Sequence, residues 1–319
     1  MVNVYDIIAP AFWDMLEDLL QNGHRQYWLK GGRSSTKSSF VSIAIPLCMM
    51  LDAKENIHSN AVVLRKVADT LKTSVYSTIL WALDELGVAE YWEAKTSPMT
   101  LTYLPTGQQI LFRGCDDPRK LKSIKFIKGY CKYIWYEELD EFYGMEEIRN
   151  INQSLMRGGD NIKVFFSYNP PKVLSNWTNV EGFKQVEGRL VHHSTYLDVP
   201  VDWLAKDFLI EAELLKQENE LYYRNEYLGE PTGTGGQVFD NLDIREISSE
   251  EIKHFDNILD GNDFGFAIDP DCYLQAYYDK TRRKLYVFNE LYKVGMSNSQ
   301  LADEIKRIKV GGIYITCDS

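Results

Sequence analysis

Cysteine is sparse and scattered. Cys48, Cys115, Cys131, Cys272 and Cys317 are spread over 319 residues with no C-x-x-C pair. That spacing excludes a disulfide framework or a zinc ribbon and leaves reduced, mostly buried thiols, as expected of a cytoplasmic protein. Long hydrophobic runs are missing too. The longest, Phe40 to Leu51, is interrupted by Ser42 and Pro46 and is too short to span a bilayer, so no membrane is expected as a partner. The first ten residues carry Asp6 and no basic segment, so no signal peptide is expected. Cations are outnumbered, 35 Lys and Arg against 46 Asp and Glu, for a net charge of −11. That balance argues against indiscriminate coating of nucleic acid but leaves room for local basic patches. Neither an internal repeat nor a low-complexity tract is visible.

What is present is a sequence able to build a core, with 45% hydrophobic and 13% aromatic residues, and a length sufficient for two ordinary domains. The stretch that organises it is Tyr27 to Phe40. An apolar run, Tyr27–Lys30, enters Gly31-Gly32-Arg33-Ser34-Ser35-Thr36-Lys37-Ser38, and an apolar helical pattern follows from Phe40. Strand, loop and helix in that order are what a phosphate-binding loop requires. Its backbone N–H groups would face the phosphates, Lys37 would reach the β- and γ-phosphates, and the Ser38 hydroxyl would sit on Mg²⁺. Thr36 stands where the motif has its second glycine, and a β-branched residue is costly at a left-handed backbone position. A Gly/Ser-rich surface turn is the alternative reading of this loop taken alone.

Before the loop, residues 7–20 read as an amphipathic helix stopped by Gly23. Arg25, Gln26 and Tyr27 are candidates for contact with a nucleotide base, against a plain strand entry. Asn60–Lys66 reads as a buried strand ending in two cations, residues 70–86 as a long helix, and 100–104 with 109–114 as a hairpin. Arg119, Lys120, Lys122, Lys125 and Lys128 form a basic cluster that is either functional or a solvated helix face. Tyr130–Tyr136 then delivers Glu137 and Glu138 to the C-terminal end of a strand, where open α/β sheets hold ligands. In a P-loop ATPase the first acid holds Mg²⁺ through water and the second activates the attacking water. With Asp140 and Glu141 nearby, the four acids would repel one another without a cation; the alternative is the acidic first turn of a helix. Ile162–Tyr168 is a further strand, and Ser167 and Asn169 at its end could sense the γ-phosphate. Residues 203–227 read as a helical subdomain and 231–237 as a linker. The pair His192-His193 has no third ligand in view and receives no metal. After the linker, three antiparallel strands, a helix and a parallel strand, with acids at Asp263, Glu290 and Asp318, look like the opening of an RNase H-like nuclease holding divalent cations.

Gly31–Ser38, Leu64–Lys66, Phe112–Ser123, Ile134–Glu138, Ser167–Pro171 and Asn262–Gly265 together, in this order, resemble the large terminases of tailed phages and prophages. The resemblance runs nearly end to end. It implies an α/β chain: a P-loop NTPase domain with a central, mainly parallel sheet over 1–230, a linker, and an RNase H-like nuclease domain over 238–319. It also implies ATP hydrolysis that drives double-stranded DNA into a procapsid, and nuclease cutting of concatemeric DNA with Mg²⁺ or Mn²⁺. In that family's terms Arg33 would touch the γ-phosphate, Glu138 would be the catalytic carboxylate and Glu137 the metal-associated one. Ser167–Asn169 would couple hydrolysis to movement, and Asp263 and Asp318 would be nuclease metal ligands. The nuclease fold calls for more chain after Asp318, so cutting by this chain is expected to be impaired. Implied partners are the small terminase subunit, the portal protein and further copies in a ring. Two other readings are a helicase-type ATPase, and an inactive protein that binds the portal or small subunit.

Overall fold

Helix α1 spans Trp13–Leu20, with Met15, Leu16 and Leu19 buried on one face. The helix expected over 7–20 is shortened at its start. Ala9, which precedes Pro10, sits at ψ 139°, because the proline ring disfavours helical backbone in the residue before it. The helix stops at Asn22 (φ +59°) rather than at Gly23, whose amide bonds back to Asp18 O at 2.8 Å. This is a Schellman closure, with asparagine in the left-handed position.

The computed structural model describes residues 2–116, 124–233, 242–265, 270–311 and 314–317. Arg119, Lys120 and Lys122 of the basic cluster, residues 234–237 of the expected linker, and Asp318 lie outside the described residues. The chain divides into two units, Met1–Val238 and Phe239–Ser319.

Among the described residues the first unit is built on eight strands: β1 (Gln26–Gly31), β2 (Ser59–Arg65), β3 (Trp92–Thr96), β4 (Met99–Tyr103), β5 (Gln108–Gly114), β6 (Tyr130–Glu137), β7 (Lys163–Tyr168) and β8 (Arg189–Ser194). Their order is β3-β4-β5-β2-β6-β7-β1-β8. The pairs from β5 through β8 are parallel, and β3-β4-β5 is an antiparallel extension at one edge. The hairpin of β4 and β5 was legible in the sequence; β3 was not. Central strands such as β2 are buried at every position, the continuous apolar pattern of a parallel sheet covered on both faces.

Helix α2 (Lys37–Lys54) covers one face, where Tyr27, Leu29, Phe40 and Ile43 share a cluster. Helix α4 (Met145–Leu155) covers the other, with Trp28, Tyr136, Ile148 and Phe166. Between them in sequence lies α3 (Ser77–Glu85), shorter than the helix expected over 70–86. A π turn over Lys72–Tyr76 precedes it, and that wider turn carries both Val75 and Tyr76 into the core. The expected helical subdomain is α6 (Lys206–Glu218) and α7 (Glu220–Glu226), which follow the short α5 (Trp177–Gly182).

Two buried lysines belong to this sheet's frame. Lys132 pairs with Asp52 at 2.6 Å while Tyr133 donates to the same carboxylate at 2.7 Å, tying β6 to the end of α2. Lys163 donates to His24 O at 2.7 Å.

The second unit has a sheet in the order β11-β10-β9-β12, made of β9 (Ile258–Asp263), β10 (Pro270–Asp279), β11 (Lys284–Val294) and β12 (Thr316–Cys317). Strands β9, β10 and β11 are antiparallel, and β12 lies parallel to β9. Helix Asn298–Ile308 packs Leu301 and Ile305 against Tyr273. Within β9 the buried Asp260 accepts from Tyr273 Oη (2.8 Å) and Gln275 Nε2 (2.6 Å). Among the described residues no helix is long and apolar enough to cross a membrane.

Candidate functional site

The parallel strands β1, β6 and β7 all end on the same side of the sheet. Their C-terminal residues surround a cleft of about 850 Å³ lined by Gly32–Ser39, Glu137, Glu138, Asp140 and Ser167–Asn169. The loop between β1 and α2 forms its floor. Gly31 and Gly32 are required by close approach rather than by backbone angle. A Cβ on Gly31 would lie 1.9 Å from Ser194 O, and one on Gly32 1.8 Å from Tyr227 O. Ser34 (φ +56°) and Thr36 (φ +60°) hold left-handed backbone without being glycine. The Thr36 hydroxyl is in addition buried with no hydrogen-bond partner, so the mismatch in the motif is a real local strain.

Lys37 is 7% exposed. Its Nζ reaches four acceptors: Gly31 O (3.1 Å), Gly32 O (2.9 Å), Ser35 Oγ (2.9 Å) and Asn169 Oδ1 (2.9 Å). Burial pushes its pKa down to about 8, against the opposing pull of Glu137 and Asp140. Ser35 Oγ donates in turn to Gly32 O at 2.8 Å.

Ser38 Oγ donates to Glu137 Oε1 at 2.6 Å, across 99 residues of sequence. The other carboxylate oxygen of Glu137 accepts from Ser167 Oγ, itself the acceptor for Trp135 Nε1 at 2.7 Å. Ser167 therefore engages Glu137, while Asn169 engages Lys37. Desolvation raises the Glu137 pKa, and the two hydroxyls, Lys37 and Arg65 counter it. Asp140 is likewise raised by desolvation. A hydroxyl and a carboxylate are hard oxygen ligands with open space beside them, and they suit Mg²⁺, which keeps waters and takes phosphate oxygens for the remainder of its shell. Among the described residues no cluster of three or more His, Cys, Asp or Glu is poised to hold a metal alone.

Glu138 sits at φ +53°, and its carboxylate is in direct contact with Arg65 Nη2. Arg65 closes β2, its side chain is 7% exposed, and Glu141 stands 3.5 Å from the same nitrogen. Arg33, by contrast, is 67% exposed on its side chain and lies 3.9 Å from Glu226.

Arg25, Gln26 and Tyr27 do not reach the cleft. Arg25 precedes β1 and Gln26 and Tyr27 open it, and the strand runs to Gly31, so roughly 13 to 20 Å of extended chain separates them from the loop. Tyr27 is fully buried, with its hydroxyl on Asp18 (2.9 Å). An apolar cleft of about 370 Å³ does adjoin the loop. It is lined by Ile7, Ile8, Ala9, Phe40, Trp81 and Trp203, together with Asp6, Glu85, Thr36 and Ser39.

Arg65, Asp140 and this apolar wall had no assigned role in the sequence reading. The two cations closing a buried strand, Arg65 and Lys66, were the available signal. In the second unit Asp263 ends β9 in register with Cys272, and Glu290 pairs with Leu274 on the neighbouring strand.

Residues 24–230 match the family model described as phage terminase large subunit. The chain is 38% identical to the terminase large subunit of Bacillus phage SPP1, over 100% of this chain and 76% of that protein. It is 25% identical to the PBSX phage terminase large subunit of Bacillus subtilis (strain 168), over 98% of this chain and 74% of that one. The fold is shared with the large terminase of the thermophilic bacteriophage D6E (TM-score 0.58, 14% identity, 94% of this chain and 73% of that one). It is shared also with the large terminase of bacteriophage HK97 (TM-score 0.55, 12% identity, 94% and 66%). A phosphate-type loop facing paired glutamates on a mainly parallel sheet, and sequence kinship along the whole chain, lead to one assignment: the protein belongs to the phage terminase large subunit family.

Proposed function

We propose that this chain is the ATP-hydrolysing motor subunit that drives double-stranded DNA into a viral procapsid. The ATPase domain is assigned to residues 1–230 with its helical subdomain, the linker to 231–237, and an RNase H-like nuclease unit to 238–319. The observation that carries the reading is the convergence of Lys37, Ser38, Glu137 and Asn169 from three strand ends on one cleft. A related fold, the D6E large terminase, has been solved in complex with ATP-gamma-S.

In this reading the loop amides of Gly32–Ser38 receive the phosphates, and Lys37 exchanges its present carbonyl and Asn169 partners for β- and γ-phosphate oxygens. Ser38 and Glu137 would hold Mg²⁺, which would supply charge neutralisation for the phosphates. Arg33, exposed at the cleft rim and 3.9 Å from Glu226, exchanges that carboxylate for the γ-phosphate. Glu138 orients the attacking water once released from Arg65, and Ser167–Asn169 pass the change to the rest of the motor. The apolar cleft of Ile7, Ile8, Phe40, Trp81 and Trp203 takes the adenine base. Asp263 and Asp318 serve metal-dependent cutting with Mg²⁺ or Mn²⁺ in the second unit. The small terminase subunit, the portal and further copies in a ring are the assigned partners, in the host cytoplasm.

The test is Mg²⁺-dependent ATP hydrolysis with and without duplex DNA, on wild type, Lys37→Ala and Glu138→Ala. Turnover that DNA stimulates and that both substitutions reduce by at least 100-fold is expected, in line with the loss of a positioned catalytic group. Wild-type turnover in either variant would overturn the assignment.

A further inference from the structure

The segment that carries Asn169 continues into Pro170-Pro171. Two consecutive prolines supply no amide hydrogen, so this stretch can be held only through its carbonyls. Two asparagines hold it. Asn179 Nδ2 donates to Pro171 O at 2.8 Å. Asn225, in α7 and 9% exposed, donates from Nδ2 to Pro170 O at 3.0 Å and to Glu230 O at 2.9 Å.

Asn225 lies in the same short segment that grips the phosphate loop. The next residue, Glu226, accepts from the Arg33 amide at 2.8 Å, and Tyr227 O stands against Gly32. One buried side chain therefore links the two walls of the cleft: Gly32–Arg33 on one side, and Asn169, 2.9 Å from Lys37, on the other.

We propose that Asn225 is a positioning residue for ATP hydrolysis, acting through Asn169 to set the gap into which the γ-phosphate fits. The proposal rests on the reading of the cleft as an ATP site. Its chemistry is specific. A nucleoside diphosphate is held by the loop and does not extend to Asn169, whereas a triphosphate does. Loss of the two donated hydrogens lets the proline segment drift without disturbing the loop, and selectivity for the third phosphate falls.

The experiment is calorimetric binding of ADP and of ATPγS, each with Mg²⁺, to the full chain as wild type, Asn225→Ala and Asn225→Asp, with steady-state kinetics alongside. Asn225→Asp keeps the shape but turns an acceptor toward two carbonyls. In both variants ADP affinity is expected to stay within about twofold of wild type. ATPγS affinity and kcat are each expected to fall by about tenfold, the size of one hydrogen bond to a charged group. ADP binding also reports that the variant is folded. An unchanged ratio of ATPγS to ADP affinity, or an equal loss of both, would overturn the proposal and make Asn225 a structural residue only. Wild-type protein that binds neither nucleotide would overturn the ATP reading, and this one with it.

Discussion

Arg65 and Glu138 are in contact between the ends of two neighbouring strands, the guanidinium at the end of β2 closing on the carboxylate that follows β6. The Glu138 oxygen that Arg65 holds is turned to the guanidinium instead of to an attacking water. Removal of the cation in Arg65→Ala is therefore expected to raise DNA-free ATP turnover by about tenfold, the equivalent of one charge-assisted hydrogen bond released. Steady-state hydrolysis with and without duplex DNA measures it. Turnover that stays flat or drops without DNA would mean that Arg65 has another role.

Thr36 holds a left-handed backbone (φ +60°) and a buried hydroxyl without a partner. Glycine at this position relieves both costs and loses only the extra freedom of the unfolded glycine. Thr36→Gly is expected to stabilise the protein by about 1 kcal/mol, read from urea unfolding. Destabilisation by the same amount would show that the threonine methyl contributes more than the strain costs.

Asp52, 8% exposed, answers both Lys132 (2.6 Å) and Tyr133 (2.7 Å). Its loss leaves a buried ammonium unpaired. Asp52→Ala should cost about 3–5 kcal/mol, and Asp52→Asn less, since the amide oxygen still accepts. Thermal unfolding of the two variants side by side tests the order.

Asp18 gives a pH signature. Burial raises its pKa, but hydrogen bonds from His24 and Tyr27 outweigh that and hold it below the ordinary 3.8. A depressed folded-state value means stability that is fully present above the unfolded pKa and is lost as pH falls through the folded one. Asp18→Ala is expected to cost about 1–3 kcal/mol at neutral pH. The gap between variant and wild type should close below about pH 3.8. Unfolding curves at pH 7, 5 and 3 would show it; a gap independent of pH would point to lost packing instead.

Local chemistry was readable without coordinates. Gly31–Ser38 between an apolar strand and an apolar helix, and Glu137-Glu138 after a β-rich run, are contiguous patterns. The rules that recognise them depend on neighbours within about ten residues. The same holds for the β4–β5 hairpin and the three antiparallel strands of the second unit. Arg25–Tyr27 were open to base contact or to a plain strand entry, and the fold gives the strand entry: Gln26 and Tyr27 open β1, whose extended chain carries them away from the loop.

Parallel topology decided the remainder. It set Ser38 against Glu137 over 99 residues and Lys37 against Asn169 over 132. It also brought Arg65 to Glu138, and Asn225 to the carbonyl that follows Asn169. The motifs led one to expect Ser38 and Glu137 around one metal and Asn169 beside Lys37; for Arg65 and Asn225 no periodicity or motif encodes the partner, since each is an ordinary polar residue until the fold brings it to its mate. By itself, then, the sequence determined the short contiguous patterns, a Gly/Ser-rich loop between strand and helix and a carboxylate pair after a strand. Only the tertiary structure decided which of their residues are free to act and which are held by a neighbour, because that depends on distances between chain ends that folding alone brings together.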